Sequence, residues 1–179
     1  REFLQLDADI IGSNSYGVDA ELIMLSADSM SSLGLNDENY NIRVSSRKLL
    51  DAILIRVSDS EDIDEGRRLT ILRAIDKLDR IGIDGVQKLL SEGRKDESGD
   101  YTIGAKLQKA SISKILDFIS IGSQSRDGFI SQAIDLVGEN DLGQLAIEEL
   151  RSINNILDKL NYNKSVVFDS SIVRGLEYY

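Results

Sequence analysis

The sequence predicts an α+β fold in which a sheet is interrupted by a helical insertion. Strand-like segments lie near both ends of the chain: residues 2–11 alternate with period two, residues 40–44 alternate weakly, and residues 165–168 form a short apolar run typical of a buried strand. Between residues 58 and 160, apolar side chains instead recur at helical spacing. Strands near both ends with helices between them indicate a sheet domain that an all-helical domain interrupts.

The predicted domain boundaries follow these changes of period. Residues 1–47 and 161–179 form the predicted core, and residues 48–160 form the predicted helical insertion. Arg1 leads directly into a predicted strand, and Tyr179 lies inside a patterned segment without a turn after it. We therefore expect the chain to be an internal piece of a larger protein.

The first predicted strand, residues 2–11, has two different faces. One row is apolar and is expected to pack on a core, whereas the other carries an aromatic ring, an amide and two carboxylates. The rows are Leu4, Leu6, Ala8 and Ile10 against Phe3, Gln5, Asp7 and Asp9. On the pattern alone, such a polar row is more often a solvated sheet face than a ligand site.

The core and the start of the insertion each contain a predicted helix. The first covers residues 18–33 and would end at Gly34, since glycine is favoured just after a helix. Residues 40–44 alternate weakly and are predicted to form a second strand. Ser45 or Ser46 would then cap the first insertion helix. Its predicted buried side chains are Leu49, Leu50, Ile53 and Leu54.

The remainder of the insertion is predicted to be helical, apart from one charged loop. A helix carrying Leu69 and Leu72 would end near Gly82, and a short helix would end at Leu90. Residues 93–100 are charged and bounded by glycines, so we expect a mobile loop that buries nothing. The last three predicted helices cover residues 107–121, 129–137 and 142–160. Asn161 would end the last of them, whose predicted apolar stripe is Leu142, Leu145, Leu150, Ile153, Leu157 and Leu160. A strand at 165–168 and a turn at 169–171 complete the pattern.

Composition excludes several kinds of chemistry. The chain has neither cysteine nor histidine, so a disulfide framework, a thiolate metal site, histidine-dependent zinc catalysis and a Ser-His-Asp triad are excluded, and we predict no metal ligand among its residues. The net charge of −10 disfavours nucleic-acid binding over the whole surface, although a local basic patch remains open. No apolar run approaches the roughly 18 residues of a membrane span, so we predict a cytoplasmic protein.

The final residues carry the strongest chemical signal. Arg174 follows an apolar run and precedes Gly175, a placement that can aim a rigid guanidinium into a cavity and stabilise phosphate charge. The alternative, which is more frequent for a single arginine, is an ion pair with a neighbouring strand. Tyr178 and Tyr179 alternate faces, so at most one ring would enter a site, and a core role is the commoner one for tyrosine.

Two terminal segments resemble the histidyl-tRNA synthetase family. Residues 171–179 are similar to its histidine-specific motif, with Arg174 to Tyr179 reading RGLEYY. Residues 1–12 resemble the second half of motif 2 of this class II family, and residues 19–25 resemble the segment that follows. Residues 69–78 show a looser similarity. The resemblance implies a mixed, mainly antiparallel sheet for the core, and an insertion that clamps the tRNA acceptor arm.

The resemblance also implies a reaction. The parent protein would activate L-histidine with ATP, in the presence of Mg²⁺, to histidyl-adenylate and pyrophosphate, and would transfer histidine to tRNA(His). Phe3 would stack on the adenine of ATP. Arg174 would be the catalytic residue, placed against the carboxylate of histidine and the α-phosphate of ATP, where it offsets charge in the transition state.

The histidine site would be assembled from both ends of the chain. By the resemblance, Gln5 would bind the amino group of the substrate and Asp9 would also contact histidine, alongside Arg174. Tyr179 would hydrogen-bond the imidazole, and Tyr178 would help to shape the pocket. Motif 1, the first half of motif 2, motif 3 and the anticodon-binding domain are not represented. Because motif 1 builds the dimer interface in the family, we expect a homodimeric parent and an inactive isolated chain.

Two related functions remain as alternatives at this point. One is a non-catalytic, histidyl-synthetase-like regulatory subunit of the ATP phosphoribosyltransferase of histidine biosynthesis. The other is a synthetase-like domain that senses uncharged tRNA. The presence of Arg174 and Gln5 favours the enzyme, because a protein that only binds histidine has less need of a transition-state arginine.

Overall fold

The computed structural model describes residues 2–96, 98–122 and 125–173. Within these residues the chain forms helices and two small sheets, which confirms the predicted α+β class. The helices are α1 (Tyr16–Ser32), α2 (Arg47–Ser58), α3 (Glu65–Ile75), α4 (Leu78–Leu90), α5 (Lys109–Ile119), α6 (Arg126–Val137) and α7 (Asp141–Lys159). The strands are β1 (Ile42–Val44), β2 (Gly93–Lys95), β3 (Tyr101–Ile103) and β4 (Val166–Phe168).

Local sequence signals explain where several helices begin and end. Side-chain oxygens accept hydrogen bonds from the first-turn amides of α1, α3, α6 and α7. These caps are Ser15, Asp64, Ser125 and Asn140. Gly34, just beyond α1, adopts a φ of 85°, and Asn161, just beyond α7, adopts a φ of 63°. Both are conformations that glycine and asparagine tolerate best, so the predicted helix ends at these residues are confirmed.

Helix α7 lies at the centre of the helical assembly and packs against α1, α2 and α6. Its buried face is shifted from the predicted stripe. Leu150, Ile153 and Leu157 are buried as predicted, but Leu145 and Leu160 are about half exposed. Ala146 and Ile147 are buried instead, because over five turns the face that meets three neighbouring helices is wider than one leucine row.

The predicted first insertion helix is confirmed in α2. Leu49, Leu50, Ile53 and Leu54 are all buried against the other helices, and α2 begins after Ser46, one of the two predicted caps. The hydroxyl of Ser46 does not cap the helix, however, and it donates a hydrogen bond to Glu149 of α7 at 3.3 Å. Farther on, the predicted helix end at Gly82 is a break inside α4, where Gly82 has a φ of 66°.

The charged segment at residues 93–100 is not the open loop that the sequence predicts. It contains β2 and leads into β3, and the two strands form an antiparallel hairpin. Gly93 and Gly104 permit this pairing, since a Cβ atom at either position would lie 2.2 Å from a carbonyl oxygen of the opposite segment. The prediction was wrong because exposed charged side chains are compatible with a hairpin whose stability comes from backbone pairing.

The predicted strand at residues 2–11 is also wrong in this structure. Residues 2–15 form neither helix nor strand, and all of them are exposed. The expected apolar row is not packed on a core, as Leu4 and Leu6 are 102% and 77% exposed. A strand is stable only beside a neighbouring strand that satisfies its backbone groups, and no described residue pairs with this segment.

The two other predicted core strands are confirmed and pair with each other. β1 and β4 run parallel, with Arg43 opposite Val167. Buried side chains of α1, β4 and the insertion helices belong to one apolar cluster, which includes Ile23, Phe168 and Val173. The boundaries predicted at residues 47/48 and 160/161 stay a prediction, although the described core crosses both of them without interruption.

Candidate functional site

The site residues predicted near the amino terminus lie together on the exposed segment of residues 2–15. Phe3 is 82% exposed, and Gln5 and Asp9 are exposed as well. The Gln5 amide donates to both carboxylate oxygens of Asp7, at 3.1 and 2.9 Å. Gln5 therefore contacts Asp7, two residues along the chain, and among the described residues no hydrogen bond joins Phe3, Gln5 and Asp9 to one another.

The other predicted site residues, Arg174, Tyr178 and Tyr179, lie outside the described residues. The structure does describe the chain that leads to them, residues 165–173, which we call the approach segment. Its backbone is hydrogen-bonded to β1 on both sides of β4. The Ile42 amide donates to the carbonyl of Ser165 at 2.6 Å, and the Asp169 amide donates to the carbonyl of Val44 at 2.9 Å.

A hydrogen-bonded turn follows β4 in the approach segment. The Oδ1 atom of Asp169 accepts hydrogen bonds from the Ser171 amide at 2.8 Å and from the Ser171 hydroxyl at 2.6 Å. An aspartate that accepts from the amide two residues later closes a compact turn. The prediction of a turn at residues 169–171 is therefore confirmed.

Arg43 of β1 holds this turn from the side. Its Nε donates to Oδ2 of Asp169 at 2.5 Å, one of its terminal nitrogens forms a further ion pair with the same oxygen, and that nitrogen lies 3.2 Å from the Ser171 hydroxyl. The other terminal nitrogen lies 3.7 Å from Asp79 of α4. Burial raises the pKa of Asp169, but the hydrogen bonds from Ser171 and Arg43 outweigh it, so the pKa lies below its ordinary value.

The opposite side of the turn is anchored in the apolar core. The buried hydroxyl of Ser170 donates to the carbonyl of Phe118, near the end of α5, at 2.6 Å. Val173 is 5% exposed, and Phe168 meets Phe129 edge to face with ring centroids 5.9 Å apart. The last residues before Arg174 are thus held by both the core strand β1 and the helical insertion.

Arg126 fixes the beginning of the approach segment. Its side chain is 7% exposed and donates to the carbonyls of Tyr162 and Val166, each at 3.2 Å. It also contacts three polar side chains, Asn154 and Asp158 of α7 at 2.5 Å each and Asn163 at 2.9 Å. A cavity of about 230 Å³ adjoins this cluster. Because the donors of Arg126 are directed to protein oxygens, the cluster is a structural anchor for β4.

The described part of the chain contains no group of three or more acidic side chains that could hold a metal ion. Over the same residues, no helix is both long and apolar enough to cross a bilayer.

Sequence reasoning missed Arg43, Arg126 and Ser170. The spacing of Asp169 and Ser171 predicts a turn, but nothing in the sequence indicates which cation binds the Asp169 carboxylate. Arg126 lies next to a helix cap, a position where an exposed side chain is the usual expectation. Its burial depends on carbonyls and side chains 28 to 40 residues away.

The chain is similar to known proteins over its whole length. The family model described as histidyl-tRNA synthetase matches residues 1–179. A histidine–tRNA ligase of Bartonella bacilliformis is 44% identical over 179 residues, covering 100% of this chain and 36% of the relative. One from Rhizobium leguminosarum bv. trifolii is 43% identical over 180 residues, covering 100% of this chain and 35% of the relative.

The fold agrees with a solved structure of the same name. The crystal structure of histidyl-tRNA synthetase from Nostoc sp. PCC 7120 matches with a TM-score of 0.71 and 23% identity, covering 93% of this chain and 35% of that chain. The chain thus spans just over a third of the length of these relatives. Because the family model matches from the first residue to the last, the chain belongs to the histidyl-tRNA synthetase family.

Proposed function

We propose that the longer protein carrying this chain is a histidine–tRNA ligase. It activates L-histidine with ATP to give histidyl-adenylate and pyrophosphate, and then transfers the histidyl group to tRNA(His). The observation that carries the proposal is the family match over residues 1–179, which includes both terminal motifs. The presence of Arg174 in the second motif and of Gln5 in the first supports an enzyme over a histidine-binding regulatory relative.

The chemistry requires positioned positive charge more than a protein base. The carboxylate of histidine is already ionised near neutral pH and can attack the α-phosphorus of ATP directly, with pyrophosphate leaving. Charge then accumulates on the phosphoryl oxygens in the transition state. Arg174 would meet that charge and the substrate carboxylate, because a guanidinium can donate two hydrogen bonds in one plane. The absence of histidine side chains from this chain is compatible with such a mechanism.

The residues of the amino-terminal segment would bind and orient the substrates. Phe3 would stack on adenine, Gln5 would bind the amino group of histidine, and Asp9 would contact histidine as well. Their exposure supports this role, since neither Phe3 nor Gln5 is committed to the apolar core. In the longer protein, additional strands would pair with residues 2–11, and the Leu4 row would then be covered.

Tyr178 and Tyr179 would complete the histidine pocket from the other terminal motif. Tyr179 would hydrogen-bond the imidazole, and Tyr178 would shape the wall beside it. Mg²⁺ would reach the site with ATP, because magnesium is commonly held by substrate phosphates and few protein carboxylates, and the described residues offer no cluster of three. When bound, it would neutralise phosphate charge. A cytoplasmic, homodimeric protein stays part of the proposal.

The direct test is histidine-dependent exchange between ATP and pyrophosphate by the full-length protein. Exchange should occur with histidine and with no other amino acid. Arg174→Ala should lower its kcat by about 100- to 1000-fold, the range seen when one preorganised transition-state donor is removed. Arg151→Ala, on the exposed face of α7, is the matched control and should leave exchange unchanged.

Other outcomes would separate the alternatives. Histidine binding without exchange would place the protein with the regulatory subunits of ATP phosphoribosyltransferase. If the protein neither binds histidine nor catalyses exchange, the proposal is refuted. The isolated 179-residue chain should show no exchange above background, because it spans only about 36% of the relatives' length, and a measurable rate would contradict that expectation.

A further inference from the structure

Arg43 stands out among the side chains near the approach segment because one guanidinium joins two core segments that are far apart in sequence. It lies on β1, and its partners Asp169 and Ser171 lie just after β4, 126 and 128 residues later. Three contacts hold the turn in one orientation relative to β1. The Nε atom and one terminal nitrogen of Arg43 both bind the Asp169 carboxylate, and the same terminal nitrogen also binds the Ser171 hydroxyl.

The turn is also restrained from within and from the insertion. Asp169 accepts from both the amide and the hydroxyl of Ser171, and Ser170 is fixed by its bond to the Phe118 carbonyl. Arg43 is the member of this set that contributes a charge to balance the buried part of the Asp169 carboxylate, which is 20% exposed. Without it, the carboxylate would keep only neutral donors and would be drawn toward water.

The covalent chain limits how far Arg174 can be from this turn. Arg174 is three positions after Ser171, and at about 3.3 to 3.6 Å per residue the two Cα atoms are at most roughly 11 Å apart. Val173, the last described residue, is buried. A rotation of the turn would therefore shift Ile172 and strain the packing of Val173, the two residues that join the turn to Arg174. In catalysis, misplacement of a reacting group by about 1 Å can cost about 100-fold in rate.

We propose that Arg43 is a positioning residue for aminoacyl-adenylate formation, acting through the Asp169–Ser171 turn on the placement of Arg174. This inference rests on the proposed function. Arg43 does not contact substrate in this role. Its effect falls on kcat, because Arg174 is required most where charge develops in the transition state, and less on the KM of histidine or ATP.

The partial exposure of Arg43 makes this role separable from a purely structural one. Its side chain is 39% exposed, and ion pairs at that degree of exposure contribute little to stability. The Arg68–Asp51 pair, between α3 and α2, is a matched control because its side chains are 26% and 24% exposed and it lies outside the approach segment. Both pairs can be broken by the same Arg→Gln change.

The experiment measures histidine-dependent ATP–pyrophosphate exchange and thermal unfolding for full-length wild type, Arg43→Gln, Arg43→Lys and Arg68→Gln. We expect Arg43→Gln to lower kcat about 10- to 100-fold, with smaller changes in both KM values and a melting temperature close to that of Arg68→Gln. Arg43→Lys should be intermediate, since a single ammonium cannot hold Asp169 and Ser171 with the fixed geometry of a guanidinium.

The readouts distinguish failure of this inference from failure of the proposed function. If wild type exchanges and Arg43→Gln keeps kcat within about twofold of Arg68→Gln, Arg43 is not a positioning residue. If Arg43→Gln loses activity only in proportion to a lowered melting temperature, its role is structural and the inference is wrong. If wild type does not exchange at all, the proposed function fails, and this inference fails with it.

Discussion

Two segments of the predicted core, residues 2–15 and the approach segment, differ sharply in how they are held. Residues 2–15 are exposed and make local hydrogen bonds, such as the one from Gln5 to Asp7. The approach segment, residues 165–173, is paired with β1, anchored by Arg43 and Arg126, and packed through Phe168. Both segments have strand-like sequences, yet only the approach segment is built into the described fold.

The difference lies in the available neighbours. β4 pairs with β1 within the chain, and its apolar side chains pack against α6 as part of one apolar cluster. Residues 2–11 have the stronger alternation, but no described strand lies beside them. An alternating pattern therefore specifies which face a strand would bury, whereas the presence of a partner strand decides whether it forms.

The largest loss of stability is expected from replacing Arg126, which anchors the approach segment. Arg126→Met should destabilise the chain by about 2–4 kcal/mol, because it leaves the buried Asn154 side chain and the carbonyls of Tyr162 and Val166 without their donor. The free energy of unfolding is measured by urea denaturation monitored by circular dichroism. Arg151→Met, on the exposed face of α7, should change the free energy of unfolding by less than about 0.5 kcal/mol. Equal effects of the two changes would mean that Arg126 does not anchor β4.

Two phenylalanine truncations, one in each segment, test the difference in packing between the approach segment and residues 2–15. Phe168→Ala should cost about 3 kcal/mol in unfolding free energy, since the ring is 8% exposed and packs on Phe129. Phe3→Ala should change it by less than about 0.5 kcal/mol, because that ring is 82% exposed. In the full-length protein the order should reverse for substrate binding, with Phe3→Ala raising the KM of ATP. A large loss of stability from Phe3→Ala in this chain would contradict the exposed placement of residues 2–15.

The smallest expected effect concerns the charge of Asp169. Its folded-state pKa lies below the ordinary value of 3.8, so its contribution to stability is present above that value. The contribution is lost as the pH falls through 3.8 and then through the lower folded-state pKa. Asp169→Asn should therefore cost on the order of 1 kcal/mol at pH 7 and less at pH 3, as measured by urea unfolding. Ser171→Ala should show a weaker version of the same pH dependence, and a difference that grows toward pH 3 would oppose this assignment.

Helix positions could be predicted because their signals are local. The ends at Gly34 and Asn161 and the buried face of α2 depend on side chains within a few residues of one another. The β2–β3 hairpin could not be predicted in the same way. Its stability depends on backbone pairing and on the close approach that Gly93 and Gly104 allow, and neither is visible in a charged sequence.

For the candidate site, the sequence by itself determined the family resemblance, the identity of the side chains expected to contact substrate, and the turn at residues 169–171. Only the tertiary structure decided that Arg43 binds Asp169, that Arg126 binds the carbonyls of Tyr162 and Val166, and that residues 2–15 are left exposed. The physical reason is how far apart in the sequence the interacting residues lie. Motifs, caps and turns are encoded among neighbouring residues, whereas burying a charge or pairing a strand requires partners from distant parts of the chain, and their arrangement exists only once the chain has folded.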